Sequence, residues 1–88
     1  MDPRRLIQLA VESEEYFLLE HAVFEADKDG VSQDQIEAVM ASGAVQKTEQ
    51  TEDGAARYVL RRREITVVVE VTADQGVIVV TVWRDRDG

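Results

Sequence analysis

Histidine and arginine are the side chains of this sequence that could do chemistry near neutral pH. His21 is the single histidine, and an imidazole gains or loses its proton in that range. It could act as a general base or acid on a ribose hydroxyl, with Arg84 or the run Arg61-Arg62-Arg63 stabilising the phosphate. Alternatively, His21 only hydrogen-bonds a neighbouring strand and fixes the start of its helix. We favour this structural role.

The other charged residues also allow two interpretations. Arg61-Arg62-Arg63 could bind phosphate or an acidic partner, or it could be a solvated hairpin turn that protects a sheet edge from aggregation; we favour the turn. Glu12, Glu14, Glu15 and Glu20 are predicted to be solvated rather than catalytic. Because there is one histidine and no cysteine, we expect no metal site and no cofactor.

The net charge limits the kind of partner. A formal charge of −8 argues against non-specific nucleic-acid binding, which requires a basic surface. The charge is unevenly spread, since residues 11–53 contain 12 acidic and 2 basic residues and the remainder contains 6 acidic and 8 basic residues. These segments carry net charges of −10 and +2, and all eight arginines lie in the second. A local basic patch is therefore compatible with an acidic protein.

The segment from Ile65 to Arg84 is predicted to be a β-hairpin around which the fold forms. It is rich in Val, Ile and Thr, with a turn-forming stretch at residues 73–76. If Thr72 pairs with Val77, one face should carry the core. That face would consist of Ile65, Val67, Val69, Val71, Ile78, Val80 and Val82. Val68, Val79 and Trp83 would then share the other face, where they bind a partner or are covered by the first helix.

Three helices are predicted from their end signals. Asp2 followed by Pro3 begins a first helix that fades near Glu12. A second runs from His21 to Lys28, and Gly30 ends it. A third begins at Ser32, which forms a capping box with Gln35, and ends at Gly43.

The remaining segments are predicted to be extended or loop. Tyr16–Leu19 reads as a strand or extended segment, Ala44–Gln46 as the start of an extended segment, Tyr58–Leu60 as a strand, and Glu49–Ala56 as an exposed loop. We therefore predict a single α+β domain over residues 1–88, with two or three short helices packed on one face of a three- to four-stranded antiparallel sheet.

A series of short motifs supports a family resemblance. In order along the chain they are His21-Ala22, Asp29-Gly30-Val31-Ser32, Gly43, the strand Ile65–Val71 and Thr81-Val82-Trp83-Arg84. Over about residues 5–84 this order resembles a small bacterial, archaeal and phage family of unknown function. That family is distantly similar to toxins of the BrnT and RelE type, which are small α+β ribonucleases neutralised by an antitoxin.

Two functions from different classes follow. The first is a non-catalytic protein-interaction module that uses its sheet surface to bind a protein partner or itself as a homodimer. The second, implied by the toxin resemblance, is a ribonuclease acting on RNA through His21 and Arg84. Many relatives carry arginine where this chain has Glu25 and Asp29, so the reversed charge favours the first.

The expected location is cytoplasmic. No apolar run approaches the ~20 residues needed to cross a bilayer, and the first residues lack the apolar region of a signal peptide. We therefore expect no membrane association.

Overall fold

One mixed sheet and a layer of helices make up the computed structural model, which describes residues 2–74 and 76–85. Within that part of the chain there are five strands: β1 (Tyr16–Leu18), β2 (Ala44–Gln50), β3 (Ala56–Arg62), β4 (Ile65–Thr72) and β5 (Gly76–Arg84). Their order across the sheet is β1-β5-β4-β3-β2. β1 runs parallel to β5, and every other neighbouring pair is antiparallel.

The same residues form three helices, α1 (Pro3–Glu12), α2 (Glu20–Lys28) and α3 (Gln33–Ser42). α1 begins as predicted, since the Asp2 carboxylate accepts a hydrogen bond of 3.2 Å from the Arg4 N–H. α2 begins one residue before the predicted start, and Gly30 adopts a φ of +66° just after its end. None of these helices is long and apolar enough to span a membrane.

The capping box predicted for α3 is confirmed. The Ser32 hydroxyl accepts from the Gln35 N–H at 3.2 Å, and the Gln35 side chain accepts from the Ser32 N–H at 2.9 Å. Val31 and Ile36, on either side of the cap, are both buried, as expected for a hydrophobic staple. These local contacts fix where α3 starts over the sheet.

All three helices pack on one face of the sheet. Their buried residues, such as Ile7, Ala26 and Met40, join Val67 and Val79 of the sheet in a single apolar cluster. Burial of this cluster provides the main driving force for folding. Because every described helix lies on the same side, the opposite face of β2–β5 has no helix against it.

The predicted sheet of three to four antiparallel strands is wrong in number and direction, since the described residues include five strands and one parallel pair. β2 begins at Ala44, where an extended segment was predicted, and it includes Glu49 and Gln50 of the segment predicted as a loop. It is a polar edge strand that is exposed along its whole length. Since neither of its faces is buried, its sequence does not alternate between apolar and polar residues. The parallel pairing of β1 joins segments about 60 residues apart, for which no local signal exists.

The predicted register of the β4–β5 hairpin is correct at its open end and wrong near the turn. Val67 pairs with Val82 as expected, but a bulge at Val80 shifts the rest by one residue, and Val69 pairs with Val79. A one-residue shift moves side chains to the other face. Val79 therefore lies in the core and Ile78 on the opposite face. Gln75, within the predicted turn, lies outside the described residues.

Candidate interaction surface

The face of β2–β5 that lies away from the helices is named here the open sheet face. The strand registers place its side chains in three rows. From β5 to β2, the rows are Ile78-Glu70-Arg57-Glu49, Thr81-Val68-Val59-Lys47 and Trp83-Thr66-Arg61-Ala44.

The centre of the open sheet face is shielded although no described helix covers it. Thr66, Val68 and Ile78 are only 4%, 9% and 7% exposed, yet they lie outside the core cluster formed with the helices. Side chains of the neighbouring strands must therefore cover them. The surface that results is half-apolar, and its central side chains are shielded from water.

Three ion pairs lie on the open sheet face among the described residues. Lys47 Nζ is 2.6 Å from Glu49 Oε1, Arg57 Nε is 3.8 Å from Glu70 Oε1, and Arg61 Nη2 is 3.4 Å from Asp85 Oδ2. The Lys47 ammonium holds the pKa of Glu49 below its usual value, and the Glu49 carboxylate raises the pKa of Lys47. The face consequently has equal numbers of acidic and basic groups on a chain of charge −8.

Asp85 organises the end of this face that carries Trp83. Its carboxylate accepts hydrogen bonds from Trp83 Nε1 at 3.0 Å and from the Thr66 hydroxyl at 3.3 Å, and it also pairs with Arg61. The indole is thereby held in one orientation while 36% of the Trp83 residue remains exposed. A fixed, partly exposed tryptophan with its N–H satisfied is typical of an interface anchor.

A second apolar surface lies at the outer edge of the sheet. It consists of Phe17, Leu19, Val23 and Phe24 and is named here the β1–α2 surface. Phe17 and Phe24 are 63% and 65% exposed, and Leu19 and Val23 are also exposed. The Val23 N–H donates to the Leu19 carbonyl oxygen, so these two side chains lie one helical turn apart.

The structure separates the three consecutive arginines predicted as a binding run. Arg61 belongs to β3 and lies on the open sheet face. Arg62 and Arg63 line a cleft of about 210 Å³ against the first turn of α3, beside Asp34. The predicted turn through all three is wrong, since Arg62 pairs with Ile65 and the turn is Arg63-Glu64. The three guanidinium groups therefore do not share one phosphate-sized site.

Arg84 connects three segments of the chain. Its Nε donates to the Asp29 carbonyl oxygen at 3.2 Å, its Nη2 donates to the Gly30 carbonyl oxygen at 3.1 Å, and its Nη1 lies 2.7 Å from Glu64 Oε1. The Arg84 backbone N–H also donates to the Asp29 carboxylate. A guanidinium at a helix C-terminus satisfies its last carbonyl groups and complements the helix dipole.

His21 and Arg84, predicted as a catalytic pair, are not brought together. Arg84 contacts the residues just after α2, whereas His21 lies in the first turn of α2 and is exposed. Eight residues separate His21 from Asp29, which corresponds to about 12 Å along the helix axis. No three histidine, aspartate or glutamate side chains of the described residues are grouped to hold a metal ion.

Two of the predicted binding residues keep their predicted place. Val68 and Trp83 lie on the open sheet face, but Val79 is fully buried on the helix side because of the bulge at Val80. Sequence reasoning missed Asp85 and Phe17. A carboxylate two residues after an indole, and a run of apolar residues in a short edge strand, are the signals that could have indicated them.

A comparison with known protein families gives a match that covers most of this architecture. Residues 18–84, from the end of β1 through β5, match a family described as a domain of unknown function, DUF4258. The comparisons found no matching curated protein and no matching solved structure. The match spans well over half of the 88 residues, and so the chain belongs to the DUF4258 family.

Proposed function

We propose that the chain is a non-catalytic protein-interaction module that binds a second copy of itself through the open sheet face. The observation that carries this proposal is the combination of an uncovered sheet face with a fixed, partly exposed Trp83 on it. A chain of this size buries only about 60–65% of its unfolded surface, so a second copy of the sheet would add to a small core.

The charge pattern favours a second copy over an unrelated partner. The three ion pairs leave no net charge on the open sheet face, so two such faces can approach without the repulsion expected from the charge of the whole chain. A rotation of one copy against the other also allows each basic group to meet an acidic one. Such complementarity determines which partner is accepted more than how tightly it binds.

The size of the face indicates a weak dimer. Four strands about 4.8 Å apart and about 26 Å long present roughly 500 Å² per copy. Two copies would bury about 1,000 Å², which is at the lower limit for specific interfaces. We therefore expect dissociation in the micromolar range rather than an obligate dimer.

The ribonuclease alternative, with RNA as substrate, has no comparable support. Arg84 is occupied by the carbonyl groups at the end of α2, at the opposite end of that helix from His21. On the proposal made here, induced expression in bacteria causes no growth arrest and no RNA cleavage. Growth arrest that His21→Ala abolishes would favour the alternative.

The proposal is tested by light scattering on the wild type and on Trp83→Arg. The wild type should change from monomer to dimer as its concentration rises through the micromolar range, whereas Trp83→Arg should remain a folded monomer. Phe24→Arg is the control, because it places the same charge on an exposed aromatic position outside the open sheet face. A wild type that stays monomeric at high micromolar concentration would overturn the proposal.

A further inference from the structure

We infer that the β1–α2 surface is a second site, which binds an extended basic segment of another protein. Four of the seven exposed large apolar side chains of the described residues fall within positions 17–24. This density of exposed Phe, Leu and Val on a short stretch is unusual for a solvated surface. The surface adjoins the open sheet face at Ile78, which pairs with Phe17, and this contact lies toward the opposite end of β5 from Trp83.

A groove provides room for an apolar side chain of the partner. It has a volume of about 580 Å³ and lies between Phe17, Leu19 and Ile78. Its apolar floor is formed by residues whose positions are fixed by pairing of β1 with β5. A single valine or leucine of the partner could therefore be buried without rearrangement of the main chain.

The rim of the groove is acidic. Glu20 and Asp74 line the groove itself, and an adjoining cleft that shares Phe17 and Asp74 adds Glu14 and Glu15. No lysine or arginine is among the residues that line either of these two depressions. A partner segment should consequently carry lysine or arginine on both sides of its apolar anchor.

The same charges argue against a second copy as the occupant. Two β1–α2 surfaces brought face to face would set four carboxylates of one copy against the same four of the other. Like charges at an interface select against that partner. In its charge, the β1–α2 surface differs from the open sheet face, where the acidic and basic groups are balanced within each copy.

The edge position of β1 indicates that the bound segment is extended. Among the strands of the described residues, β1 pairs only with β5, so none of them covers its outer side. An edge strand can accept an added strand through main-chain hydrogen bonds, with pockets for alternate side chains giving specificity. Because β1 has only three residues, most of the affinity must come from the apolar groove and the acidic rim.

The test is an NMR titration with two synthetic peptides. In the first, lysine alternates with valine and leucine, and in the second, glutamate replaces every lysine. The basic peptide should shift the amide signals of Phe17, Leu19, Glu20 and Val23, and its binding should weaken as salt is added. The acidic peptide should leave these signals unchanged. Equal binding of both peptides, or shifts scattered over other acidic parts of the chain, would overturn the inference.

Variants then distinguish specific binding at the β1–α2 surface from non-specific electrostatic attraction to an acidic chain. Phe17→Ser should weaken binding of the basic peptide by about tenfold, the loss typical of an interface anchor. Leu6→Ser, which removes an exposed apolar side chain on α1, should not affect it. Glu20→Lys should weaken the basic peptide and strengthen the acidic one.

The result does not depend on the proposed self-association. At a concentration where the chain is monomeric, Trp83→Arg should bind the basic peptide as the wild type does, because Trp83 does not line the groove. If Phe17→Ser instead dissociates a wild-type dimer, the β1–α2 surface is a contact between copies and the inference is wrong.

Discussion

The open sheet face and the β1–α2 surface both carry apolar side chains outside the core, but they differ in shielding and in charge. On the open sheet face, Val68 and Ile78 are nearly buried by their own neighbours, and every charged group has an opposite partner nearby. On the β1–α2 surface, Phe17 and Phe24 are mostly exposed and the surrounding charges are acidic.

The difference shows how one small chain can present two unlike interfaces. A face whose side chains are shielded and paired loses little side-chain entropy when it binds. Because its charges are also balanced, it accepts a copy of itself. An exposed apolar strip with one sign of charge selects a partner of the opposite sign. The predictions below separate the two surfaces by their contribution to stability, by their anchoring and by their response to pH.

The largest expected effect distinguishes the two surfaces by stability. Val68→Ala should lower the free energy of unfolding by about 2 kcal/mol, because it leaves a cavity among shielded side chains. Phe24→Ala, which removes a larger but exposed side chain, should change it by less than about 0.5 kcal/mol. Urea denaturation at a concentration where the chain is monomeric measures both. Equal losses would show that the two surfaces do not differ in shielding.

The next effect concerns the anchoring of α2, which carries half of the β1–α2 surface. Arg84→Ala should lower the free energy of unfolding by about 1–2 kcal/mol, since the carbonyl groups after α2 lose their donors and Glu64 loses its partner. Arg62→Ala is the control and should have little effect, because Arg62 is exposed. Hydrogen exchange should accelerate in α2 and not in β3. Uniform acceleration would contradict this local role.

The smallest effect is a pH dependence at β1. The Tyr16 hydroxyl donates to Glu37 at 2.6 Å and accepts from Gln33 at 3.0 Å. Burial, and then the bond to Glu37, raise the pKa of Tyr16 above 10.0. The protonated form is thus favoured in the folded state, and its contribution is present below pH ~10 and lost as the pH rises through the folded-state pKa.

Comparing the stability of the wild type with that of Tyr16→Phe tests the direction of this pH dependence. The variant should be less stable by up to about 1 kcal/mol at neutral pH, and the difference should shrink above pH ~10. NMR shifts should be confined to β1 and α3, leaving the open sheet face unchanged. A stability difference that grows with alkaline pH would contradict the assignment.

Local sequence signals predicted most helices and strands of this fold, but pairing between distant segments was not predicted. Ser32 and Gln35 are three residues apart, so their capping box was evident and α3 was placed correctly. The bulge at Val80 was not, because residues 77–80 are all apolar and mark no preferred face. The parallel pairing of β1 depends on contacts between distant segments. β2 forms a local hairpin with β3, and only its start was predicted, because its residues are polar and exposed.

The residues of the candidate interaction surface were also predicted only where local signals determine their position. Val68 and Trp83 were placed on the correct face because they follow the part of the hairpin whose register is regular. Val79 was misplaced by the bulge. The role of Arg84 at the end of α2 could not be predicted, because it requires Asp29, 55 residues earlier, to lie beside the end of β5.

The central claim is that the open sheet face, and not the β1–α2 surface, is the contact between copies. Trp83 is the only tryptophan, so fluorescence excited selectively at the indole, and not at the two tyrosines, reports on this face alone. On raising the protein concentration from nanomolar to high micromolar, the emission maximum should move to shorter wavelength and acrylamide quenching should decrease, in step with the mass from light scattering. A mass that doubles while the Trp83 emission and quenching stay constant would contradict the account.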